Sequence, residues 1–128
     1  MLHASADFTS KVGVILFNFQ NSTSTPFKKQ KVREDTWTSQ KSANAYFKEA
    51  SFGQLSLEGK INQTEGDIYG WYTIPYNNTP CDPQSWAQAA ENAAAVYGFN
   101  SAGYDNVVYA FPKTEASGKC QKAAGWST

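Results

Sequence analysis

The chain has 128 residues, of which 41% are hydrophobic and 15% aromatic, and its formal net charge is zero. That length makes one domain able to bury roughly two-thirds of its unfolded surface, and the apolar share excludes a natively disordered chain. The charge balance provides no broad field for nucleic acid or an anionic membrane, and no apolar run reaches the roughly 18 residues of a spanning helix.

Residues 1–10 lack the basic start and continuous apolar stretch of a signal peptide. They are expected to lie outside the fold, disordered or extraneous to the native protein. Residues 11–20, KVGVILFNFQ, form the first clear strand, apolar on both faces as in an interior strand covered on each side. Residues 21–26, NSTSTP, read as a loop. Lys28, Lys29, Lys31 and Arg33 make a small basic cluster followed at once by Glu34 and Asp35, the pattern of a solvated stretch. Asp35 or Thr36 is a candidate cap for a helix carrying Trp37 onward.

Residues 42–61, SANAYFKEASFGQLSLEGKI, predict a helix that turns directly into a strand. Ala43, Tyr46, Phe47 and Ala50 recur at helical spacing and are expected to seat the helix on the sheet, with Lys48 and Glu49 in solvent. Gly53 fits the left-handed position that ends a helix. Leu55, Leu57 and Ile61 then mark a strand. A Gly66–Asp67 turn precedes IYGWYTIPY, a second strand that pairs with the first as a hairpin or prolongs the sheet. Asp82 as N-cap and Pro83 at the first helical position open a helix whose apolar stripe is Trp86, Ala89, Ala90, Ala93 and Tyr97, ended by Gly98. Residues 106–111, NVVYAF, are a further interior strand. This alternation predicts an α/β fold: a mixed, mostly parallel twisted sheet with packed helices.

The chemistry is sparse. The single histidine, His3, leaves no base for a nucleophilic triad and too few ligands for zinc. There is no phosphate-cradling glycine loop. Glu58, Glu65 and Asp67 are candidate carboxylates for glycoside hydrolysis, against the simpler reading of strand and turn polar positions. Trp37, Trp71, Tyr72, Trp86 and Trp126 are candidates for a sugar- or peptide-binding surface, or for the core. Cys81 and Cys120 do not have zinc or redox spacing. Both lie in loop-like sequence, so the expectation is a disulfide closing about 40 residues and contributing about 4 kcal/mol, with two unpaired thiols as the alternative. A bridge implies an oxidising compartment. Sequons at Asn21, Asn62 and Asn77 fit export but arise by chance as well.

YFKEASFGQLSLEG, IYGWYTIP, CD before an alanine-rich helix, YDNVVYAFP and a Cys before GW occur in that order over nearly the whole chain. Together they resemble the N-terminal part of a gametolysin-like zinc metallopeptidase domain, the M11 type of metzincin. The resemblance implies that residues 11–20, 55–61 and 106–111 are neighbouring strands of the N-terminal subdomain. It also implies helices at 42–50 and 83–97 packed on them. The family's zinc-binding HExxH segment follows this region, so no catalytic or metal residue carries over and the chain by itself is expected to hold no zinc and to be inactive. The parent enzyme is expected to be a secreted zinc-dependent endopeptidase acting on protein or peptide. Gly125 and Trp126 would begin the edge strand on the substrate side, leaving a surface for self-association. The alternative is a non-catalytic extracellular binding or adhesion module using exposed aromatics.

Overall fold

The fold is built on one long strand, β1 (Phe8–Phe19), in a computed structural model that describes residues 8–113 and 125–127. Val12, Val14 and Leu16 point to one side, and Ile15, Phe17 and Phe19 to the other; all six are buried. Period-two alternation thus feeds two cores from one strand. The strand begins three residues before the expected Lys11, because Phe8, Thr9 and Ser10 already pair with Leu55, Ser56 and Leu57.

After β1 come a short helix α1 (Lys29–Arg33) that runs straight into a π-helical turn (Glu34–Thr38), then α2 (Ala43–Ala50). The strands β2 (Leu55–Glu58) and β3 (Asp67–Ile74) follow, then α3 (Pro83–Ala95), β4 (Asn106–Ala110) and β5 (Gly125–Ser127). The strands β2 and β3 lie one after the other along one side of β1, both parallel to it, and β4 lies parallel on the other side. Only β5, against β4, is antiparallel. The hairpin option for β2 and β3 therefore does not hold: each pairs with β1 rather than with the other. The expected mixed, mostly parallel α/β sheet is present.

The two helical crossovers, from β1 to β2 and from β3 to β4, run in opposite directions across the sheet and so place their helices on opposite faces. Trp86, Ala90 and Ala94 of α3 are buried against Ile15, Phe17, Phe19, Tyr109 and Phe111. Alanines let the helix approach closely, and Trp86 meets Phe19 and Phe111 edge to face. The other face is covered by Trp37 and by Val32 and Phe27. Asp82 caps α3 by accepting from the Ser85 N–H, with Pro83 at its start. Gly98 and Phe99 close it by donating to Ala95 and Ala94. Tyr97 is not in the buried stripe, being 70% exposed beyond the helix end.

Three local expectations fail, and a fourth, at Gly53, holds with an addition. Asp35 and Thr36 cap nothing, because they lie inside a helical stretch that begins at Lys29 and contains most of the basic cluster. The cap of α2 is Ser42, which is buried, accepts from the Ala45 N–H and donates to the Trp37 carbonyl. Tyr46 (67% exposed) and Phe47 (37%) do not seat α2 on the sheet. The helix instead turns Asn44 towards β2, where its Oδ1 accepts from the Leu57 N–H at 2.8 Å. Gly53 does take the expected left-handed geometry, at φ 82°, and donates to the Lys48 carbonyl at 2.7 Å, but Phe52 before it is left-handed as well, at φ 56° and 95% exposed. Finally β2 stops at Glu58, leaving Ile61 exposed in the loop that follows.

These placements separate two phenylalanines. Phe17→Ala should lower the unfolding free energy by about 3–5 kcal/mol in urea titrations. Phe47→Ala, which removes a ring that belongs to neither core cluster, should lower it by less than about 1 kcal/mol.

Candidate functional site

Of the candidate carboxylates, Asp67 is bound into the chain around it. It opens β3 and is buried, and its oxygens accept from the Lys60, Ile61 and Asn62 N–H groups at 2.7, 2.9 and 2.8 Å and from the Tyr104 hydroxyl at 2.5 Å. Burial opposes ionisation. The bonds from Tyr104 and from the three backbone donors outweigh it and hold the carboxyl below its ordinary value. Tyr104 is pushed well above a normal phenol, first by burial and then by its bonds to Asp67 and Tyr69, so it remains a neutral donor. One of its oxygens takes three of these four donors and the other takes the fourth, so the carboxylate is committed to the chain around it.

Its work is to shape the 59–66 loop. Gly59 donates to the Gln63 carbonyl, Gly66 to the Asn62 carbonyl, and the Asn62 side chain accepts from the Glu65 N–H. Gly66 is required by contact as well as by its φ of +85°: a Cβ there would sit 2.2 Å from the Trp37 ring. Lys60 reaches across to the Asn100 and Ala102 carbonyls and lies 4.7 Å from the centre of the Tyr104 ring. Glu58 pairs with Lys11 at 2.6 Å. Glu58 and Glu65 both border a cleft of about 360 Å³ whose wall is Trp37. Asp67 does not join them.

The aromatic candidates divide. Trp86 and Trp37 are core, although the Trp37 Nε1–H is buried without an acceptor among the described residues. Trp71 and Tyr72 are half-buried and border an open cleft of about 480 Å³ with Lys29, Tyr69, Gly70 and Tyr97. A bulge creates it: Ile15 is opposite Tyr69 but Phe17 is opposite Tyr72, so β3 carries one extra residue. Tyr69 and Tyr72 thereby face the α3 side together, while Ile68 and Trp71 pack on the Trp37 side. Gly70 makes the bulge possible, since a Cβ would lie 2.1 Å from the Leu16 carbonyl oxygen. Tyr72 stacks on Tyr97 at 5.6 Å and 15°, and the Trp71 Nε1–H donates to the Phe27 carbonyl. Tyr69, Gly70 and Tyr97 were not among the sequence candidates. A bulge breaks the period-two signal by which they would be found.

Open α/β sheets commonly bind ligands at the carboxyl ends of their strands, where the chain changes direction across the sheet. Here those ends are tied to one another. Gln20 donates to Asn77, and Asn21 and Asn78 exchange two hydrogen bonds. Asn18, buried within β1, accepts from Thr73 and donates to the Thr23 and Ser24 carbonyls. A polar residue inside the apolar run KVGVILFNFQ was the only sequence signal for this anchor.

Among the described residues, no group of three His, Cys, Asp or Glu side chains could hold a metal, and no helix is long and apolar enough to cross a membrane. Gly125–Ser127 forms β5, paired with Ala110, Tyr109 and Val108. Cys81 is half-buried and is not a free thiol. Its expected partner Cys120 lies outside the described residues, as does His3.

Asp67 makes the loop acid-sensitive. Its folded value is lowered, so its contribution is complete above the unfolded carboxyl value of about 3.9 and is lost as pH falls through the folded one. Asp67→Asn should cost about 2–3 kcal/mol at neutral pH. That difference from the parent chain should shrink in chemical denaturation at acid pH, and a difference independent of pH would contradict the assignment.

Comparison with protein-family models, with curated proteins and with solved structures found no match to this chain.

Proposed function

We propose that the chain is the N-terminal scaffold of a secreted, gametolysin-like zinc metalloendopeptidase. The observation that supports this most is the sheet: three strands parallel to or flanking β1, helices on both faces, and one antiparallel strand, β5, added outside β4. An antiparallel outer strand at Gly125 and Trp126 is where the resemblance puts the strand that aligns an extended peptide substrate. This chain would supply that alignment and the rigid support beneath it. Zinc and the water-activating base would come from an HExxH helix that follows.

The test is to read the gene beyond the codon for Thr128 and to express the longer product. One zinc per chain and cleavage of an unstructured protein are expected from the longer form, and neither from residues 1–128. A longer product without an HExxH segment, or one that binds no zinc, would overturn the reading. Export belongs to the same proposal, and with it a bridge between Cys81 and Cys120. Thiol titration of the unfolded, unreduced chain should then find no free thiol, and two free thiols would reject the bridge.

A second reading, a non-catalytic binding or adhesion module, draws on the open cleft beside the Tyr72–Tyr97 stack, where Tyr97 presents an outer ring face to solvent. Exposed tyrosine and tryptophan are the residues that carry most binding energy at recognition surfaces. It is the reading that remains if the longer product lacks the zinc helix.

A further inference from the structure

We propose that the cleft between the π-helical turn, α2, the outer edge of β2 and the 59–66 loop binds a neutral saccharide. At about 360 Å³ it falls within the range of small-molecule sites, roughly 300–1,000 Å³. The proposal does not depend on the peptidase reading.

Three observations carry it. The first is unspent hydrogen-bonding capacity. The side chains of Thr38, Lys48, Gln63, Thr64 and Glu65 border the cleft and make no hydrogen bond or ion pair within the described residues. Asn44 uses its carbonyl oxygen on Leu57, leaving its amide donors for a ligand. Trp37 also lines the cleft; it is only 4% exposed, and its indole N–H is buried with no acceptor among the described residues, a costly state that native proteins seldom leave without a ligand or a water.

The second is charge. Lys48 and Glu65 have opposite signs, and Glu58 is already neutralised by Lys11. A phosphate would face the Glu65 carboxylate, and a metal cation would face the Lys48 ammonium. Donors and acceptors are interleaved instead, as hydroxyl groups require, since each hydroxyl both donates and accepts. The half-buried Leu57 supplies the apolar surface against which the C–H face of a sugar ring can pack.

The third is preorganisation. The unpaired side chains of the rim stand on a backbone that is held at many points. Asp67 binds three successive N–H groups of the loop, Asn62 holds the Glu65 N–H, and Gly59 holds the Gln63 carbonyl. Gly66 clamps the same loop on Trp37. Trp37 and Thr38 are themselves presented by a π-helical turn, a poor conformation that recurs at functional sites. Rigid support beneath free polar tips is how a binding site lowers the entropy of ligand capture.

The test is a titration of residues 1–128, followed by two-dimensional ¹H–¹⁵N NMR. Glucose, galactose, mannose, arabinose and N-acetylglucosamine are the probes, with inorganic phosphate, calcium chloride and tetra-alanine as comparators. At least one sugar should shift the Trp37 indole N–H and the amides of residues 63–65 saturably, with Kd of about 1–10 mM. Gln63→Ala and Glu65→Gln should each weaken that binding about tenfold, the loss of one polar contact to the ligand. Phe52→Ala, at the far exposed end of α2, should leave it unchanged. The proposal is overturned if none of the five sugars gives saturable shifts up to about 100 mM. It is equally overturned if the shifts persist unaltered in both rim variants, or if phosphate, calcium or the peptide saturates the site and the sugars do not.

Discussion

The two-sided burial of β1 is the constraint on which everything else rests. Its even-numbered residues from Val12 to Leu16 and its odd-numbered residues from Ile15 to Phe19 lie in different cores. Neither core can form unless a helical layer covers each side. A parallel pairing also needs a crossover, and right-handed crossovers to opposite sides of β1 deliver one layer to each face. The central strand therefore dictates both the sheet order and the position of the helices. Phe17, Phe19 and Phe111 meet in one aromatic cluster because β4 lies beside β1 and brings Phe111 up at its end.

The side of β1 opposite β4 is less regular and more informative. It is shared by β2 and β3, which are joined by the 59–66 loop, and the bend there takes three part-buried N–H groups away from the sheet ladder. Asp67 supplies the acceptors, so one charged side chain replaces the ladder that the loop has lost. The exposed edges are then handled differently. Asn44 covers the outward N–H of Leu57 in β2, and the Gly70–Trp71 bulge interrupts β3. Both devices discourage edge-to-edge pairing with another chain. Both also open a cleft, one polar beside Trp37 and one aromatic beside Tyr72.

The reversal of α2 follows from the same pairings. Ser42 anchors the start of the helix to the Trp37 carbonyl, and Asn44 ties it to Leu57. These two bonds set which side of the eight-residue helix meets β2, since leaving the Ser42 hydroxyl or the Leu57 N–H without a partner would cost about 1–3 kcal/mol each. The aromatic rings are left in contact with one another, 5.5 Å apart, on the outside. Phe52 continues this exposed face in a left-handed conformation that a bulky residue adopts at a cost of about 1–3 kcal/mol.

The sequence by itself determined the α/β class, the apolar strands and the two principal helices, because each is a local periodic pattern or a cap. KVGVILFNFQ has the pattern of a strand buried on both sides, and Asp82-Pro83 that of a helix start. Which side of a helix faces the protein is not local. The pattern of Ala43, Tyr46, Phe47 and Ala50 established that a helix exists, whereas Ser42 and Asn44 chose its orientation through partners elsewhere in the chain. The candidate site was legible in the same uneven way. Glu58, Glu65, Trp71 and Tyr72 could be named as surface chemistry, but the sequence could not tell that Asp67 is spent on the backbone of residues 60–62 or that Tyr97 stacks on Tyr72. A carboxylate's role depends on which donors surround it, and a bulge shifts every later side chain to the other face. Both are decided only when distant segments pack together.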